Sequence, residues 1–390
     1  MPTSSITKPA KPSIPKGKSE RPARKERFDE LLVKLQGITL SLLDGEKLPG
    51  VYELRDAMGV SVTTINSALN ELEARQVIIR RNGVGIFRSP NAGKRVISLV
   101  CDPTFFRSGG GSPFWDMLIT EARSRAVSHN ELLDLNFSII NSDKLAFPAA
   151  LKADIAANRI SGVLYIGVFK SAVDWIESQG VPVVTFAGPA SHEVNISLEA
   201  MLGEGAGALA RSGRKRIALA MPDFRANEPS HVESFRTLVR DAFRRGLDTG
   251  NAPYLDEIVR NVVTLVSEGP WAPQVSTQEL GYVEARKWLQ LPADRRPDGI
   301  VVTDDIMTLG VISAIQDAGL EVGRDIAIAS HANAGSATLI GWEDKMIILK
   351  IDPAKIASVM FDTLERLIEG DLDVPASVLL RPTVITGHRA

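Results

Sequence analysis

The stretch 48–87, LPGVYELRDAMGVSVTTINSALNELEARQVIIRRNGVGIF, decides how the first part of the chain folds. Gly59 follows a short apolar helical pattern and suits a turn that needs φ > 0. Ser61 is a good N-cap for a second helix. Four apolar residues then recur at helical spacing and predict one inward-facing side: Ile65, Ala68, Leu69 and Leu72. The stretch therefore predicts a helix-turn-helix.

A basic hairpin is predicted directly after the second helix. Apolar residues at 77–79 and 86–87 flank the segment RRNGVG at 80–85, whose glycines suit a tight turn. The outer face of the preceding helix is small or polar and carries no charge, as suits a helix that lies in a DNA major groove. Together these features predict a winged helix-turn-helix.

The same residues resemble the winged-helix head of GntR-type bacterial transcription regulators. The similarity rests on Leu48-Pro49, on Gly59-Val60-Ser61 and on Gly83-x-Gly85-x-Phe87. It implies DNA binding through the second helix and the wing, by Tyr52, Ser61, Val62, Thr63, Thr64, Asn66, Ser67, Arg80, Arg81, Asn82 and Gly83. Val62 and Asn66-Ser67 depart from the family, which carries arginine and Arg-Glu there, so the operator sequence does not carry over.

The composition is that of a globular protein with more than one domain. The chain has 390 residues, of which 44% are hydrophobic and 24% charged, and this length exceeds that of one small core. We expect neither a membrane segment nor a secretory signal, because no apolar run has the required length and none follows the N-terminal lysines. The single cysteine, Cys101, excludes an internal disulfide and favours the reducing cytoplasm.

Charge is distributed unevenly between an N-terminal arm and the head. Residues 1–25 hold seven Lys or Arg, one acid and almost no large apolar residue, which predicts a disordered basic arm. The head, 26–90, holds eight basic and nine acidic residues, an unusual balance for a DNA-binding domain. The arm either supplies phosphate attraction to the head or is a solubilising tail. Residues 91–95 have the composition of a linker.

From residue 96 onward, short apolar runs alternate with helical patterns. Strands are predicted at 96–100, 162–168, 181–186, 216–221, 299–303, 326–330 and 346–351. Repeated β-α units predict parallel sheets covered by helices on both faces, and hence an α/β fold class. The segment is too long for one sheet, so we expect two lobes with a ligand cleft at the carboxyl ends of their strands.

Residues 96–388 resemble the effector-binding domain of LacI/GalR-type regulators, a relative of periplasmic sugar-binding proteins. The similarity rests on Gly213-Arg214-Lys215-Arg216-Ile217-Ala218, on Pro297-Asp298-Gly299 and on Asp304-Asp305-Ile306-Met307-Thr308-Leu309-Gly310. It implies a two-lobed, periplasmic-binding-protein-like domain over 96–390.

The resemblance also implies where the chain passes between the lobes. Crossings are expected near Ser197, His331 and Asp352. Lobe one would then comprise about 96–197 and 332–352, and lobe two about 198–331 and 353–390.

A small-molecule site is implied between the lobes, with the candidate residues Phe114, Trp115, Ser197, His231, Asp305 and Asn333. Asp305 matches an aspartate of the family that accepts hydrogen bonds from ligand hydroxyls, and a carboxylate suits the donors of a sugar. Either Asp304 or Asp305 could instead cap the next helix. His231 stands where the family has arginine, which favours a neutral ligand over a phosphorylated one.

Alternatives stay open for the other candidates. Phe114 and Trp115 either stack on a sugar ring or simply pack in the core, and His231 is either a ligand residue or a surface histidine. The pocket is less acidic than is usual in the family, so a purine or another small metabolite is an alternative to a sugar.

No pattern indicates a metal, a cofactor or a catalytic centre. The five histidines lack ligand spacing, and no Ser/His/Asp or Cys/His signature occurs. We interpret the chain as a cytoplasmic, ligand-responsive bacterial repressor that binds double-stranded operator DNA as a homodimer. One alternative is a sensor whose head is a protein-interaction module. Another is a Rossmann-like enzyme, although the first strand leads into Cys101-Asp102-Pro103-Thr104 rather than a glycine turn.

Overall fold

The computed structural model describes residues 20–101, 113–137, 139–141, 144–146, 148–167, 170–223, 232–263 and 275–387. The chain divides into two compact units, one ending at Lys94 and the other beginning at Arg95. Each unit has a hydrophobic core of its own. Within the described ranges, no helix combines the length and the apolar character needed to cross a lipid bilayer.

The first unit, the head, is a three-helix domain with a two-stranded wing. Its elements are α1 Glu20–Leu40, α2 Val51–Met58, α3 Val62–Ala74, β1 Ile78–Arg81 and β2 Gly85–Arg88. The predicted inner face of α3 is buried and packs against Leu35 of α1 and Leu54 of α2. β1 and β2 pair antiparallel, so the hairpin lies where the sequence predicts it.

Two local signals fix the helix-turn-helix. Gly59 ends α2 in the left-handed conformation with φ 65°, which glycine adopts at little cost. The Ser61 hydroxyl accepts a hydrogen bond from the backbone N–H of Thr64 at 3.1 Å and so caps α3. Both features agree with the sequence prediction.

Helix α1 begins earlier than predicted. Its first residue is Glu20, so the disorder expected for 1–25 is wrong for residues 20–25. Pro22 lies in the first turn, where a backbone N–H would have no intrahelical acceptor and its absence costs nothing. The remainder of the predicted arm, 1–19, lies outside the described residues.

The second unit, the effector domain, contains two six-stranded sheets and a small hairpin. The strands of the first sheet are β3 Val96–Cys101, β4 Leu132–Phe137, β7 Gly162–Ile166, β8 Val183–Phe186, β9 Glu193–Ile196 and β15 Ser377–Leu380. They lie in the order β15-β9-β8-β7-β3-β4, and every pair is parallel. The hairpin is β5 Ile139–Asn141 with β6 Lys144–Ala146.

The second sheet belongs to lobe two. Its strands are β10 Ile217–Asp223, β11 Val259–Val263, β12 Gly299–Val302, β13 Ala327–Asn333, β14 Ile347–Ile351 and β16 Thr383–Thr386. They lie in the order β11-β10-β12-β13-β14-β16. All pairs are parallel except β14 with β16. The predicted parallel α/β architecture is confirmed.

Helices cover both faces of each sheet, as the alternating pattern predicts. They are α4 Pro113–Ser128, α5 Ala149–Ala156, α6 Lys170–Ser178, α7 Leu198–Arg211, α8 Val232–Asp248, α9 Thr277–Leu289, α10 Asp305–Asp317 and α11 Pro353–Ile368. Helices α4 and α11 cover one face of the first sheet, and α5 and α6 cover the other. Helices α7 and α8 cover one face of the second sheet, and α9 and α10 cover the other.

The predicted partition of the lobes is wrong in its later part. β14 pairs with β13 in the second sheet, so the chain does not cross at His331. Helix α11 packs against α4 and the first sheet, and β15 joins β9 there, so 353–380 lies in lobe one. The crossings lie near Ser197, at Asp352 and between β15 and β16. The pairings of β14 with β13 and of β15 with β9 decide this partition, and the order of strands along the sequence does not reveal them.

Candidate functional site

The head presents an uncharged face on α3, opposite its buried side. Thr63 and Ser67 are exposed on it, and Val62 and Asn66 are half-buried. The Ser67 hydroxyl donates to the backbone carbonyl of Thr63 at 3.0 Å. No bulky side chain stands on this face, so it has the shape and the polar groups for a major groove.

Two of the predicted DNA residues also build the start of α3. The hydroxyls of Ser61 and Thr64 lie 2.8 Å apart at the cap. Tyr52, on α2, is 67% exposed, and the guanidinium of Arg55 lies 5.3 Å from the centre of its ring. The tyrosine is thus held on the surface rather than packed in the core.

The predicted DNA-binding residues of the wing lie partly at its tip and partly at its base. Arg81, Asn82 and Gly83 are exposed at the tip. Arg80 turns back toward α3, where its Nη2 donates to Asn70 Oδ1 at 2.5 Å. The two neighbouring arginines therefore have different surroundings.

The candidate effector site lies at the carboxyl ends of β12 and β13 in lobe two. Asp304 Oδ1 accepts a hydrogen bond from the backbone N–H of Met307 at 2.7 Å and caps α10. Asp305 is fully buried, and its Oδ2 accepts from Asn333 Nδ2 at 3.0 Å. Asp304 is therefore the N-cap of α10, and the Asp305 carboxylate is available for another role.

Four buried polar atoms at and near Asp305 have no partner with good hydrogen-bond geometry among the described residues, although the side chains of His331 and Asn333 lie close enough to interact. They are Asp305 Oδ1, Asn333 Oδ1 and both ring nitrogens of His331. His331 and Asn333 are two residues apart on β13 and so lie on the same side of the strand. An unpartnered buried polar group costs roughly 1–3 kcal/mol. Such a cluster is typical of a place where a ligand or water supplies the missing partners.

A cavity of about 220 Å³ adjoins this cluster. Asp305 and Asn333 form part of its wall, together with Lys350 of β14 and the loop between β13 and β14. The loop adds the hydroxyl-bearing residues Ser336 and Thr338. The cavity is smaller than the ~300–1,000 Å³ of most small-molecule sites.

Burial controls the ionisation of the groups around this cavity. Burial, together with the charge of Asp305, raises the pKa of Asp304 to about 7, although the backbone N–H groups of Met307 and Ile306 oppose the shift. Burial lowers the pKa of His331, against the opposing effects of the charge of Asp305 and of the Asn333 side chain. His331 is therefore neutral at pH 7, with one ring nitrogen as donor and the other as acceptor.

Aromatic residues of lobe one form a cluster at the start of α4. Phe114 is buried, with its ring centre 4.9 Å from that of Trp115 and 5.5 Å from that of Phe186. Trp115 is half-buried and lies 6.0 Å from Phe186. Further along α4, Met117 Cε lies 3.3 Å from where a side chain would start at Gly335. Helix α4 therefore approaches the loop that lines the cavity.

Comparison with known proteins covers both units. Residues 38–87 match the family "Bacterial regulatory proteins, gntR family", and residues 206–388 match "Periplasmic binding protein-like domain". The HTH-type transcriptional regulator AglR of Rhizobium meliloti (strain 1021) is 24% identical over 362 residues, which are 85% of this chain and 92% of AglR. The lactose operon repressor of Rhizobium radiobacter is 33% identical over 92 residues, which are 24% of this chain and 78% of that protein.

The chain belongs to the transcription regulators that join a GntR-type head to a periplasmic-binding-protein-like domain. Solved structures share its fold. The complex of the transcriptional regulator CelR with cellobiose has a TM-score of 0.55 at 16% identity, over 88% of this chain and 100% of CelR. The function predicted from the sequence, a transcription regulator with a DNA-binding head, is confirmed at this level.

The structure brings together two of the regulator's predicted ligand residues, Asp305 and Asn333. Ser197 caps α7, because its hydroxyl accepts from the backbone N–H of Ala200 at 3.2 Å. Phe114 packs into the core of lobe one. His231 lies outside the described residues. The ligand roles of all these residues stay predictions.

Two residues near the regulator's cavity were missed by the sequence analysis. His331 lies on the same side of β13 as Asn333, because the strand continues to Asn333, three residues beyond its predicted end. Lys350 was not recognisable, because only the pairing of β13 with β14 sets it opposite Ala332.

Proposed function

We propose that this regulator is a cytoplasmic repressor without catalytic activity and that its effector is a small neutral molecule rich in hydroxyl groups, a sugar. The head, 26–90, binds the operator, and the domain 96–390 binds the effector. The observation that carries the proposal is the pair of unpartnered acceptors, Asp305 Oδ1 and Asn333 Oδ1, beside a small cavity.

The chemistry of these acceptors supports a neutral, donor-rich ligand. A carboxylate can only accept hydrogen bonds, so the ligand must donate to Asp305. A phosphate would instead bring negative charge to a wall that holds two acids, Asp305 and Glu343, and one cation, Lys350, and like charges in contact cost several kcal/mol. The relatives agree with a sugar, since CelR is described with cellobiose and another relative is named for the lactose operon.

On the DNA side, we propose a homodimer on a two-fold operator. Helix α3 lies in the major groove, and the wing contacts the adjacent backbone. The effector binds one arrangement of the lobes better than another. Its binding therefore changes the fraction of molecules that can bind DNA.

Thermal melting against a ligand panel tests the effector class. The panel contains neutral monosaccharides and disaccharides, sugar phosphates and nucleobases. A ligand at 100 times its Kd stabilises the fold by about 2.7 kcal/mol, and we expect this shift from a neutral sugar. Asp305→Asn should abolish the shift while melting near the wild-type temperature.

Asp317→Asn is the matched control, because it makes the same change at the far end of α10. Asp317 accepts a hydrogen bond from the Tyr282 hydroxyl at 2.8 Å and lies outside the cavity wall. This variant should keep the full ligand shift. A shift from sugar phosphates alone, or one that survives Asp305→Asn, contradicts the proposal.

A further inference from the structure

Most of the cations in the DNA-reading part of the head are already neutralised by acids. Six basic residues lie between 47 and 88. Four of them form ion pairs, namely Arg55 with Asp56 at 2.6 Å, Arg75 with Glu71 at 2.9 Å, Arg80 with Glu73 at 3.2 Å and Arg88 with Asp44 at 3.3 Å. Lys47 and Arg81 are exposed, and neither has an acid within 4.0 Å in the part of the chain that the structure describes.

Arg80 connects the wing to the recognition helix α3 through three contacts. Its Nη2 donates to Asn70 Oδ1 at 2.5 Å, and its Nε lies 3.2 Å from Glu73 Oε2. Its backbone N–H also donates to Glu73 Oε1 at 3.1 Å. The guanidinium is therefore both oriented and neutralised within the head.

Arg81 has a different environment at the tip of the wing. Its guanidinium lies 4.9 Å from the centre of the Phe87 ring, which orients a cation without cancelling its charge. The side chain is exposed, so it is available to a phosphate.

Lys47 lies on the same wing, although no motif points to it. Its backbone forms an antiparallel bridge with Phe87 of β2, and its side chain crosses Gly85. A Cβ at Gly85 would stand 2.5 Å from Lys47 Cε, and the φ of +142° there also favours glycine. Lys47 and Arg81, like Arg80, line the open groove between the wing and the start of α2.

We propose that Lys47 and Arg81 make the phosphate contacts of the wing, whereas Arg80 is a positioning residue that holds the wing against α3. A phosphate contact releases condensed counterions only when the cation brings an uncompensated charge. Arg80, with Glu73 beside it, brings none. This assignment concerns DNA binding alone and does not depend on the effector.

The salt dependence of DNA binding separates these roles without a known operator. The full chain is titrated onto a fluorescent 30-base-pair duplex of mixed sequence between about 50 and 200 mM salt, the range over which phosphate contacts change affinity steeply. Lys47→Gln and Arg81→Gln should each reduce the slope of log K against log salt by about 0.9. The pair Arg80→Gln with Glu73→Gln removes no net charge, and it should weaken binding at every salt concentration while keeping the wild-type slope.

A reversed pair tests the positioning role itself. Arg80→Glu with Glu73→Arg restores an ion pair between β1 and α3, so it should recover much of the affinity that the double glutamine variant loses. Circular dichroism confirms the fold of each variant.

Several results overturn the assignment. These are a wild-type slope for Lys47→Gln or Arg81→Gln, a slope reduced by about 0.9 for the double glutamine variant, no recovery in the reversed pair, or no binding of the wild-type chain to the duplex.

Discussion

Two adjacent aspartates at the start of α10 have different roles, although their side chains are chemically identical. Asp304 is half-buried and Asp305 is fully buried, and from sequence either could cap the helix. In the structure, Asp304 accepts a hydrogen bond from the backbone N–H of Met307 at 2.7 Å, whereas Asp305 accepts one from Asn333 Nδ2 at 3.0 Å. The sequence could place the pair at the end of a strand, but the direction of each side chain depends on the backbone dihedrals there.

A pH dependence follows from Asp304 at the same scale. Its pKa is raised from 3.8 to about 7 in the folded chain, so the folded state binds more protons than the unfolded state between these values. Its contribution to stability is full below pH 4 and is lost as the pH rises through 7. The free energy of unfolding of Asp304→Asn should therefore rise relative to wild type from pH 4 to pH 8, by at most about 1.4 kcal/mol per pH unit.

Urea denaturation at several pH values measures this difference. Ser276→Ala is the control, because it removes a helix cap that does not titrate: the Ser276 hydroxyl accepts from the backbone N–H of Glu279 at 3.1 Å. Its cost of about 1 kcal/mol should be the same at every pH. A constant offset for Asp304→Asn would contradict the raised pKa.

At the scale of elements, close contact between α7 and α8 depends on glycine. A Cβ at Gly246 would lie 2.4 Å from the backbone oxygen of Gly203, whereas a Cβ at Gly203 would meet its nearest atom at 3.5 Å. Gly246→Ala should force the helices apart and destabilise the effector domain by roughly 1–3 kcal/mol. Gly203→Ala should be neutral or stabilising by up to about 1 kcal/mol.

Urea unfolding of the two variants compares the same substitution on both sides of one interface. Equal losses of stability for both would contradict the close approach of α7 and α8 at Gly246.

The sheet strands that sequence patterning did not predict lie at or next to the edges of the two six-stranded sheets. All seven predicted strands exist, and they occupy the inner positions of their sheets. Four of the missed strands, β4, β15, β11 and β16, are the sheet edges, and β9 lies next to one. An edge strand is covered less completely and needs no continuous apolar run, as the fully exposed pattern of β16 shows. Hydrophobic patterning therefore finds the centre of a sheet more readily than its margins.

For the whole molecule, local signals and distant pairings were not equally predictable. The turn at Gly59 and the cap at Ser61 are decided within a few residues and were predicted correctly. The lobe to which β14 and β15 belong was predicted wrongly: β14 pairs with the preceding strand β13, and β15 pairs with β9, about 180 residues earlier in the chain. The contacts of Arg80 with α3 span only seven and ten residues, but they depend on the direction in which the hairpin leaves the helix.

The regulator combines a head whose α3 face suits DNA with a domain whose buried acceptors suit a small ligand. Our central claim is that binding at the second unit changes the affinity of the first for DNA. Such coupling requires the ligand to bind one state of the protein better than another, typically by 1–3 kcal/mol or about 5–150-fold.

One measurement tests this claim most directly. The full chain selects duplexes from a random pool, and the affinity for the enriched duplex is then measured with and without the sugar that raises the melting temperature. We predict enrichment of a two-fold symmetric sequence and a change of affinity of at least about fivefold, which Asp305→Asn abolishes. Enrichment of no sequence, or an affinity that the sugar leaves unchanged, would contradict the account.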